Sequence, residues 1–257
     1  MSSMTLAGRT ALITGAGGGI GSAVARAFAA AGAELSLADI HPVSALADEL
    51  RKTGRRVLDT PTDVTQSGQV GALIQATLAS LGKIDVLVNV AGTVSFGSAE
   101  TLQEAEWERV LAVNLKGTFL CCQAVIAPMR AQKYGRIINI GSILGKNGGN
   151  ARPWLDASEQ AQASNVAYGV SKAGVHAMTM FLAREVAADG ITVNAVAPGP
   201  IASAMTANFP ERLRNLIPVG RMGTADEVAR ACLFLADEAS GYITAEILDV
   251  NGGMWGD

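Results

Sequence analysis

A cluster of glycines behind a short apolar run constrains the fold of this chain most. Arg9-Thr-Ala-Leu-Ile-Thr14 is followed by Gly15-Ala-Gly-Gly-Gly19-Ile-Gly21, and Ala-rich helical sequence continues to Ala31. This order predicts a strand, a tight turn and a helix, the opening of a dinucleotide-binding βαβ unit. Glycines let the backbone approach a pyrophosphate, and the helix N-terminus offers free N–H groups and a positive dipole. The spacing is G-x-x-x-G-x-G, because Ile20 occupies the place of the last glycine in the usual G-x-G-x-x-G pattern.

The second apolar run, Glu34-Leu-Ser-Leu-Ala-Asp39, ends in a carboxylate 18 residues after Gly21. A carboxylate in this place accepts hydrogen bonds from the ribose hydroxyls of the adenosine and repels a 2′-phosphate. The sequence therefore predicts NAD as the cofactor, with NADP disfavoured.

Apolar runs and helical patterns alternate along the whole chain. Strands are expected near 9–14, 34–39, 56–60, 84–89, 136–141, 191–196 and 246–250, and helices near 20–31, 43–53, 68–81, 104–130, 166–189 and 225–236. Such alternation predicts an α/β fold with a parallel sheet covered by helices on both faces. We expect one Rossmann-type, doubly wound domain over residues 1–257, with about seven strands.

Composition excludes several other classes of protein. A net charge of −3 gives no basic surface for nucleic acid, and neither a signal peptide nor a run of 18 apolar residues is seen, so no membrane partner is expected. Three cysteines and two histidines, without a nearby carboxylate cluster, predict neither a disulfide framework nor a metal site. A cytoplasmic location is therefore expected.

Polar or turn-forming residues follow or end six of the predicted strands. Ligands of parallel sheets bind beyond the carboxyl ends of the strands. A site is therefore predicted at one edge of the sheet, where it would gather Thr14, Asp39, Asp63, Asn89, Ser142 and Pro198.

Tyr168 and Lys172 lie four residues apart in a predicted helix. Residues at this spacing share one face of a helix. A nearby ammonium favours the phenolate form and lowers the pKa of a tyrosine from its usual value of about 10. Such a pair can exchange a proton with a substrate oxygen. A surface pair without a chemical role is the alternative, and the accompanying motifs argue against it.

Together these motifs resemble the classical short-chain dehydrogenase/reductase (SDR) family over nearly the whole chain. The Thr14–Gly21 turn, the Asp63-Val64 pair, the Asn89-Val-Ala-Gly92 signature and the Pro198-Gly199 turn each resemble a cofactor-binding motif of that family. Val90 and Asn251 depart from the residues more usual there. The resemblance implies cofactor contacts from Gly15, Gly19, Ile20, Gly21, Asp39, Asp63, Val64, Asn89, Ala91, Gly92, Tyr168, Lys172, Pro198, Gly199 and Ile201.

The same resemblance implies a catalytic set of Asn114, Ser142, Tyr168 and Lys172. Tyr168 would be the general acid/base, and Lys172 would lower its pKa and bind the nicotinamide ribose. Ser142 would hold the substrate oxygen, and Asn114 would interrupt its helix and position water.

Two segments are expected to determine the substrate. Residues 145–164 form an insertion, since Ser142 and Tyr168 are 26 residues apart, about twice the family's usual gap; a short helix is expected near 155–163. Residues 199–223 are predicted to form a lid with an apolar inner face, because apolar residues recur at helical spacing there. Besides Ser142 and Tyr168, we expect Trp154 and Met205 to contact the substrate. A surface or subunit-contacting excursion is the alternative for the insertion.

The leading function is an NAD-dependent oxidoreductase that interconverts a secondary alcohol and a ketone. The alternative is a 3-oxoacyl-(acyl-carrier-protein or CoA) reductase of fatty-acid type. Asp39 argues against it because it disfavours NADPH. Asp189 also argues against it, because carrier-protein reductases tend to carry a basic docking residue there. Lys133 does provide a basic residue at the other docking position. A non-catalytic dinucleotide sensor is a third class. The resemblance also implies a homotetramer, formed through the helices near 104–130 and 166–189.

Overall fold

The structure is a computed structural model that describes residues 4–149, 154, 156–202, 206 and 211–256. Seven parallel strands form one sheet in the order β3-β2-β1-β4-β5-β6-β7. They are β1 (Thr10–Thr14), β2 (Glu34–Asp39), β3 (Val57–Pro61), β4 (Val86–Asn89), β5 (Gly135–Ile140), β6 (Ile191–Pro198) and β7 (Ile247–Val250). The predicted α/β class and doubly wound sheet are thus confirmed.

Helices connect the strands. They are α1 (Gly19–Ala30), α2 (Ser44–Arg51), α3 (Ser67–Leu81), α4 (Glu104–Leu111), α5 (Thr118–Ala131), α6 (Leu144–Asn147), α7 (Ala157–Gln162), α8 (Val166–Val186), α9 (Glu211–Arg214) and α10 (Ala225–Ala236). The helix predicted over 104–130 is interrupted by a π-helical turn, Ala112–Gly117, and α8 ends in a 3₁₀ turn, Ala187–Asp189. α7 lies where a short helix was expected in the insertion.

Alternate strand residues point to opposite faces of the sheet and into two cores. On one face Ala11 and Ile13 join the core that contains α1 and α10, and on the other Leu12 joins the core under α3, α5 and α8. Strand β6 is buried along its whole length, as expected of a strand covered on both sides.

The helical stretch Glu104–Ala131 is long and apolar enough, by length and composition, to cross a membrane. In this fold its helices pack against α3, α8 and the sheet. This packing buries part of the stretch, including Val110, Cys122 and Met129.

The strand order reverses between β1 and β4, which are neighbours in the sheet although β2 and β3 separate them in sequence. A crevice opens beyond the carboxyl ends of the strands at such a reversal, and ligands of doubly wound sheets bind there. Thr14 ends β1, Asp39 ends β2, Asn89 ends β4 and Pro198 ends β6. The predicted gathering of polar residues at one edge is therefore present.

Candidate active site

The glycine turn between β1 and α1 is packed backbone against backbone. Gly15 has a positive φ of 64°, and a Cβ there would lie 2.6 Å from the amide nitrogen of Ala91. A Cβ on Gly21 would overlap the carbonyl oxygen of Gly15. Among the described residues nothing lies within 4 Å of a Cβ built on Gly19, at the start of α1. The turn is thus closed toward the protein and open at the helix N-terminus, a shape that suits a pyrophosphate.

Asp39 lies beside this turn. Its Oδ2 accepts a hydrogen bond from the backbone N–H of Gly17 at 2.9 Å, and its Oδ1 accepts one from His41 at 3.4 Å. The carboxylate is held at the border of the turn, the place expected of a group that meets an adenosine ribose.

Asp63 and Val64 follow β3 at the same edge. Asp63 Oδ1 accepts hydrogen bonds from the backbone N–H and the hydroxyl of Thr65, at 2.9 and 2.8 Å. Partial burial raises the pKa of Asp63, but these bonds and the Lys116 charge outweigh it, so the pKa is lowered overall. Val64 is buried against Gly117, where a Cβ would lie 2.7 Å from its Cγ2. Contact between this pair and an adenine remains a prediction.

The end of β4 is joined to the end of β1 by the Thr14 hydroxyl. It accepts hydrogen bonds from the amides of Val90 and Ala91, at 3.2 and 3.3 Å. The Asn89 side chain is instead buried and donates to Asn139 Oδ1 at 2.9 Å, inside the sheet layer. A cofactor contact from Asn89 would therefore have to come from its main chain.

Asn114 lies in the π-helical turn and is fully buried. Its Oδ1 accepts from the amide of Thr93 at 2.7 Å, and its Nδ2 donates to Thr93 O and to Ser171 Oγ, both at 2.9 Å. A π turn displaces a helical residue from the regular ladder and is frequent at functional sites. The predicted helix interruption is present, and the side chain joins the loop after β4 to α8.

Ser142, Tyr168 and Lys172 meet between the β5 end and α8. Ser142 Oγ accepts a hydrogen bond from the amide of Leu144 at 3.1 Å, and the Ser142 hydroxyl lies near enough to the Tyr168 phenol to influence its pKa. Lys172 is 5 % exposed and donates to Ile140 O at 2.7 Å, with Nζ 5.9 Å from the centre of the Tyr168 ring. Asn165 caps α8 by accepting from the amides of Ala167 and Tyr168.

Burial governs the protonation of this pair. It lowers the pKa of Lys172 to about 8, and it raises the pKa of Tyr168, an effect that the nearby Ser142 hydroxyl opposes. The expectation that Lys172 lowers the pKa of Tyr168 is therefore not met, because burial is the largest cause of the shift and disfavours the charged phenolate.

Pro198 ends β6, and Gly199 follows it against β7. A Cβ on Gly199 would lie 2.9 Å from the Cα of Asn251. Ile201 forms a parallel bridge with Gly223, which closes the base of the lid segment 199–223. Met205 lies outside the described residues, so its predicted substrate contact stays a prediction.

The insertion is joined to the site at both ends. Lys146 donates to Asp249 Oδ2 at 2.9 Å, and Ser164 forms an antiparallel bridge with Phe96 in the loop after β4. The Trp154 side chain is 44 % exposed. Its contact with a substrate remains a prediction.

Sequence reasoning missed two contacts of the segment around the serine. His176 accepts a hydrogen bond from the backbone N–H of Ser142, and Lys146 forms a largely buried ion pair with Asp249. The position of His176, one turn beyond Lys172 on α8, was the available signal; nothing local in the sequence pairs Lys146 with Asp249.

The sheet, the glycine turn and the meeting of serine, tyrosine and lysine define an oxidoreductase of the dinucleotide-binding α/β class. A family model described as enoyl-(acyl carrier protein) reductase matches residues 15–255. The chain belongs to the classical SDR family, whose members act on CH–OH groups with a nicotinamide cofactor.

Relatives and solved structures agree with this assignment. The chain is 41 % identical to the (2S)-[(R)-hydroxy(phenyl)methyl]succinyl-CoA dehydrogenase subunit BbsD of Thauera aromatica, over 97 % of this chain and 98 % of that protein. It is 36 % identical to the 3-oxoacyl-[acyl-carrier-protein] reductase FabG of Escherichia coli, over 98 % and 99 %. A short-chain dehydrogenase/reductase structure from Mycobacterium marinum superimposes with a TM-score of 0.88 at 35 % identity, covering 98 % of this chain and 97 % of that one.

Proposed function

We propose that this protein is an NAD(H)-dependent oxidoreductase that interconverts a secondary alcohol and a ketone. The observation that carries the proposal is that Ser142, Tyr168 and the buried Lys172 lie together, with Lys172 Nζ 5.9 Å from the centre of the Tyr168 ring. The bound nicotinamide would carry the hydride. Gly15, Gly19 and Gly21 would admit the pyrophosphate, and Asp39 would accept the ribose hydroxyls.

Tyr168 gives its proton to the substrate oxygen during reduction and takes it back during oxidation. A pKa raised by burial keeps the phenol protonated at neutral pH, which suits it to the acid role. Ser142 donates a hydrogen bond to the same oxygen, where negative charge develops in the transition state. Asn114 holds the Thr93 backbone and Ser171, and so keeps the loop after β4 fixed against α8.

A second candidate has support from the relatives. Both quoted relatives are named for acyl thioesters, one of coenzyme A and one of an acyl carrier protein. The charges near the 3₁₀ turn argue against an acidic carrier protein: Asp189 forms ion pairs with Arg130 at 2.6 Å and with Lys133 at 3.4 Å. Asp189 thus offsets the positive charge that an acidic carrier protein would need.

The testing experiment is a set of kcat/KM values with NADH and NADPH over small ketones, acetoacetyl-CoA and an acetoacetyl carrier protein. We expect a preference for NADH of at least about tenfold, worth about 1.4 kcal/mol in the transition state. Asp39→Ala is expected to narrow that gap, whereas Asp48→Ala on the outer surface of α2 is a matched control. Equal or better turnover with NADPH contradicts the cofactor proposal.

We also propose a homotetramer in the cytoplasm. A groove of about 580 Å³ on α4, the π turn, α5 and α8 is lined largely by apolar residues, including Trp107, Leu111 and Phe119. Phe181 on α8 is 77 % exposed. Exposed apolar faces on these helices are consistent with subunit contacts. A monomer in light scattering at micromolar concentration would contradict the tetramer.

The cytoplasmic location is supported by three free, buried cysteines.

A further inference from the structure

A buried histidine lies behind the turn that carries the serine. His176 is 6 % exposed and lies on α8, one helical turn after Lys172. Its Nε2 accepts a hydrogen bond from the backbone N–H of Ser142, with 3.3 Å between the nitrogens. This bond links the serine to the helix that also carries Tyr168.

The serine turn is shaped around the imidazole. A Cβ on Gly141 would overlap His176 Nε2, and a Cβ on Gly145 would lie 3.0 Å from His176 Cε1. Gly141 therefore accommodates the ring by having no side chain. Gly145 lies against both the ring and the α8 backbone, where its Cβ would be 2.8 Å from Ala173 N.

Two other amides of this turn bind the neighbouring strand. Gly141 donates to Val196 O at 2.8 Å and Ile143 donates to Pro198 O at 3.0 Å, both on β6. These bonds fix the turn to the sheet but not to α8. The His176 bond is the complementary contact, because it sets the serine relative to the helix that holds the tyrosine.

We infer that His176 is a positioning residue of the reaction, which sets the distance between the Ser142 and Tyr168 hydroxyls through the Ser142 backbone. The inference rests on the proposed function, in which these two hydroxyls bind one substrate oxygen. An acceptor at Nε2 requires a lone pair there, and so a neutral imidazole with its proton on Nδ1. Without the acceptor the Ser142 N–H is buried and unpaired, and the turn must move to satisfy it.

Three substitutions separate this role from simple space filling. His176→Leu fills the space without an acceptor. His176→Gln places an amide oxygen near the position of Nε2, and the amide of His176→Asn is too short to reach it. Leu182→Met, a buried change farther along α8, is the matched control. Each variant is assayed with NADH and acetoacetyl-CoA or the best ketone of the panel, together with NADH affinity and thermal unfolding.

We expect His176→Leu and His176→Asn to lower kcat roughly 10- to 100-fold, because small misplacements of reacting groups have effects of that size. NADH affinity is expected to stay within about twofold, and His176→Gln to recover most of kcat. If folded Leu and Gln variants are equally active, the positioning role is wrong. If the Leu variant does not fold, kcat of the Gln and Asn variants is compared instead, and equal values would show that the positioning role is wrong.

Ser142→Ala, assayed in parallel, tests the assumption beneath the inference. Full activity in this variant overturns the proposed role of Ser142 and with it the role of His176. Loss of activity in Ser142→Ala with a fully active His176→Asn overturns the histidine's role alone.

Discussion

The glycine turn and the insertion lie at the same edge of the sheet but are held in different ways. In the turn, Gly15 and Gly21 bring backbone against backbone with no room for a Cβ. The insertion is anchored near its ends by Lys146 to Asp249 on β7 and by Ser164 to Phe96, and Glu159 on α7 is buried between them. Between these anchors Asp156 caps α7 by accepting from the amide of Glu159.

This difference separates two kinds of specificity. A turn made of tight backbone contacts has one shape, and under the proposed function it would recognise the pyrophosphate, the part of the cofactor that does not vary. A segment fixed at its ends can change in the middle without disturbing the sheet. We infer that cofactor binding and substrate choice can be altered independently, and four predictions test this.

The largest expected effect is on chemistry alone. Tyr168→Phe removes the proton donor but retains the ring, so kcat is expected to fall about 10²- to 10⁴-fold while NADH affinity changes little. Single-turnover kinetics and NADH titration measure the two quantities. A variant that keeps more than roughly a tenth of the wild-type kcat would show that Tyr168 is not the acid/base.

Gly21→Ala tests the tightness of the turn. Its methyl group would overlap the Gly15 carbonyl, so we expect a loss of about 3 kcal/mol or more in the free energy of unfolding. Gly19→Ala is the matched control: its methyl group enters open space, so stability is kept while NADH binds more weakly. Urea unfolding and NADH titration distinguish the two variants. Equal stability in both would disprove the packing argument.

Lys172 gives a prediction in pH. Its folded pKa, about 8, is below its usual value of 10.5, so between these pH values the unfolded chain binds the proton that the folded chain has released. The contribution of Lys172 to the free energy of unfolding therefore rises as the pH increases from about 8 to 10.5. We expect the stability of the wild type, relative to Lys172→Met, to increase by up to about 3 kcal/mol across it. Urea unfolding of both proteins at several pH values checks this, and a constant difference would refute it.

The smallest expected effect concerns the insertion. If the insertion forms a wall of the substrate pocket, replacing residues 148–162 by a short glycine linker is expected to change KM about tenfold and to alter the range of substrates. NADH affinity is expected to stay constant. Asp156→Ala, which removes only the cap of α7, is expected to have a weaker effect. Unchanged substrate selectivity after the replacement would favour a surface excursion or a subunit contact.

Much of the fold was predictable, because a buried parallel sheet requires apolar runs of fixed length. All seven strands lie within two residues of their predicted bounds. The interruption at Ala112–Gly117 was predictable only in part: the resemblance implied a break at Asn114, but its π-helical form depends on the loop after β4, far away in sequence.

The candidate site could likewise be predicted only in part. Tyr168 and Lys172 were visible as a local spacing, and the glycine turn as a local motif. The His176 bond joins two elements 34 residues apart, and the Lys146 ion pair joins elements 103 residues apart. Local patterns cannot reveal such contacts. The pKa of Tyr168 likewise depends on burial, which spacing does not encode.

The Thr14 hydroxyl has a consequence for how the chain acquires its shape. It binds amides 76 and 77 residues downstream, so the first βαβ unit lacks its final support until β4 has been made and has docked. Until then β1 has one edge without a partner, and docking is slow because β1 and β4 are far apart in the sequence. Affinity for a dinucleotide would therefore emerge late, when the two halves of the sheet have joined, and a bound cofactor would stabilise that joined state over a half-folded one.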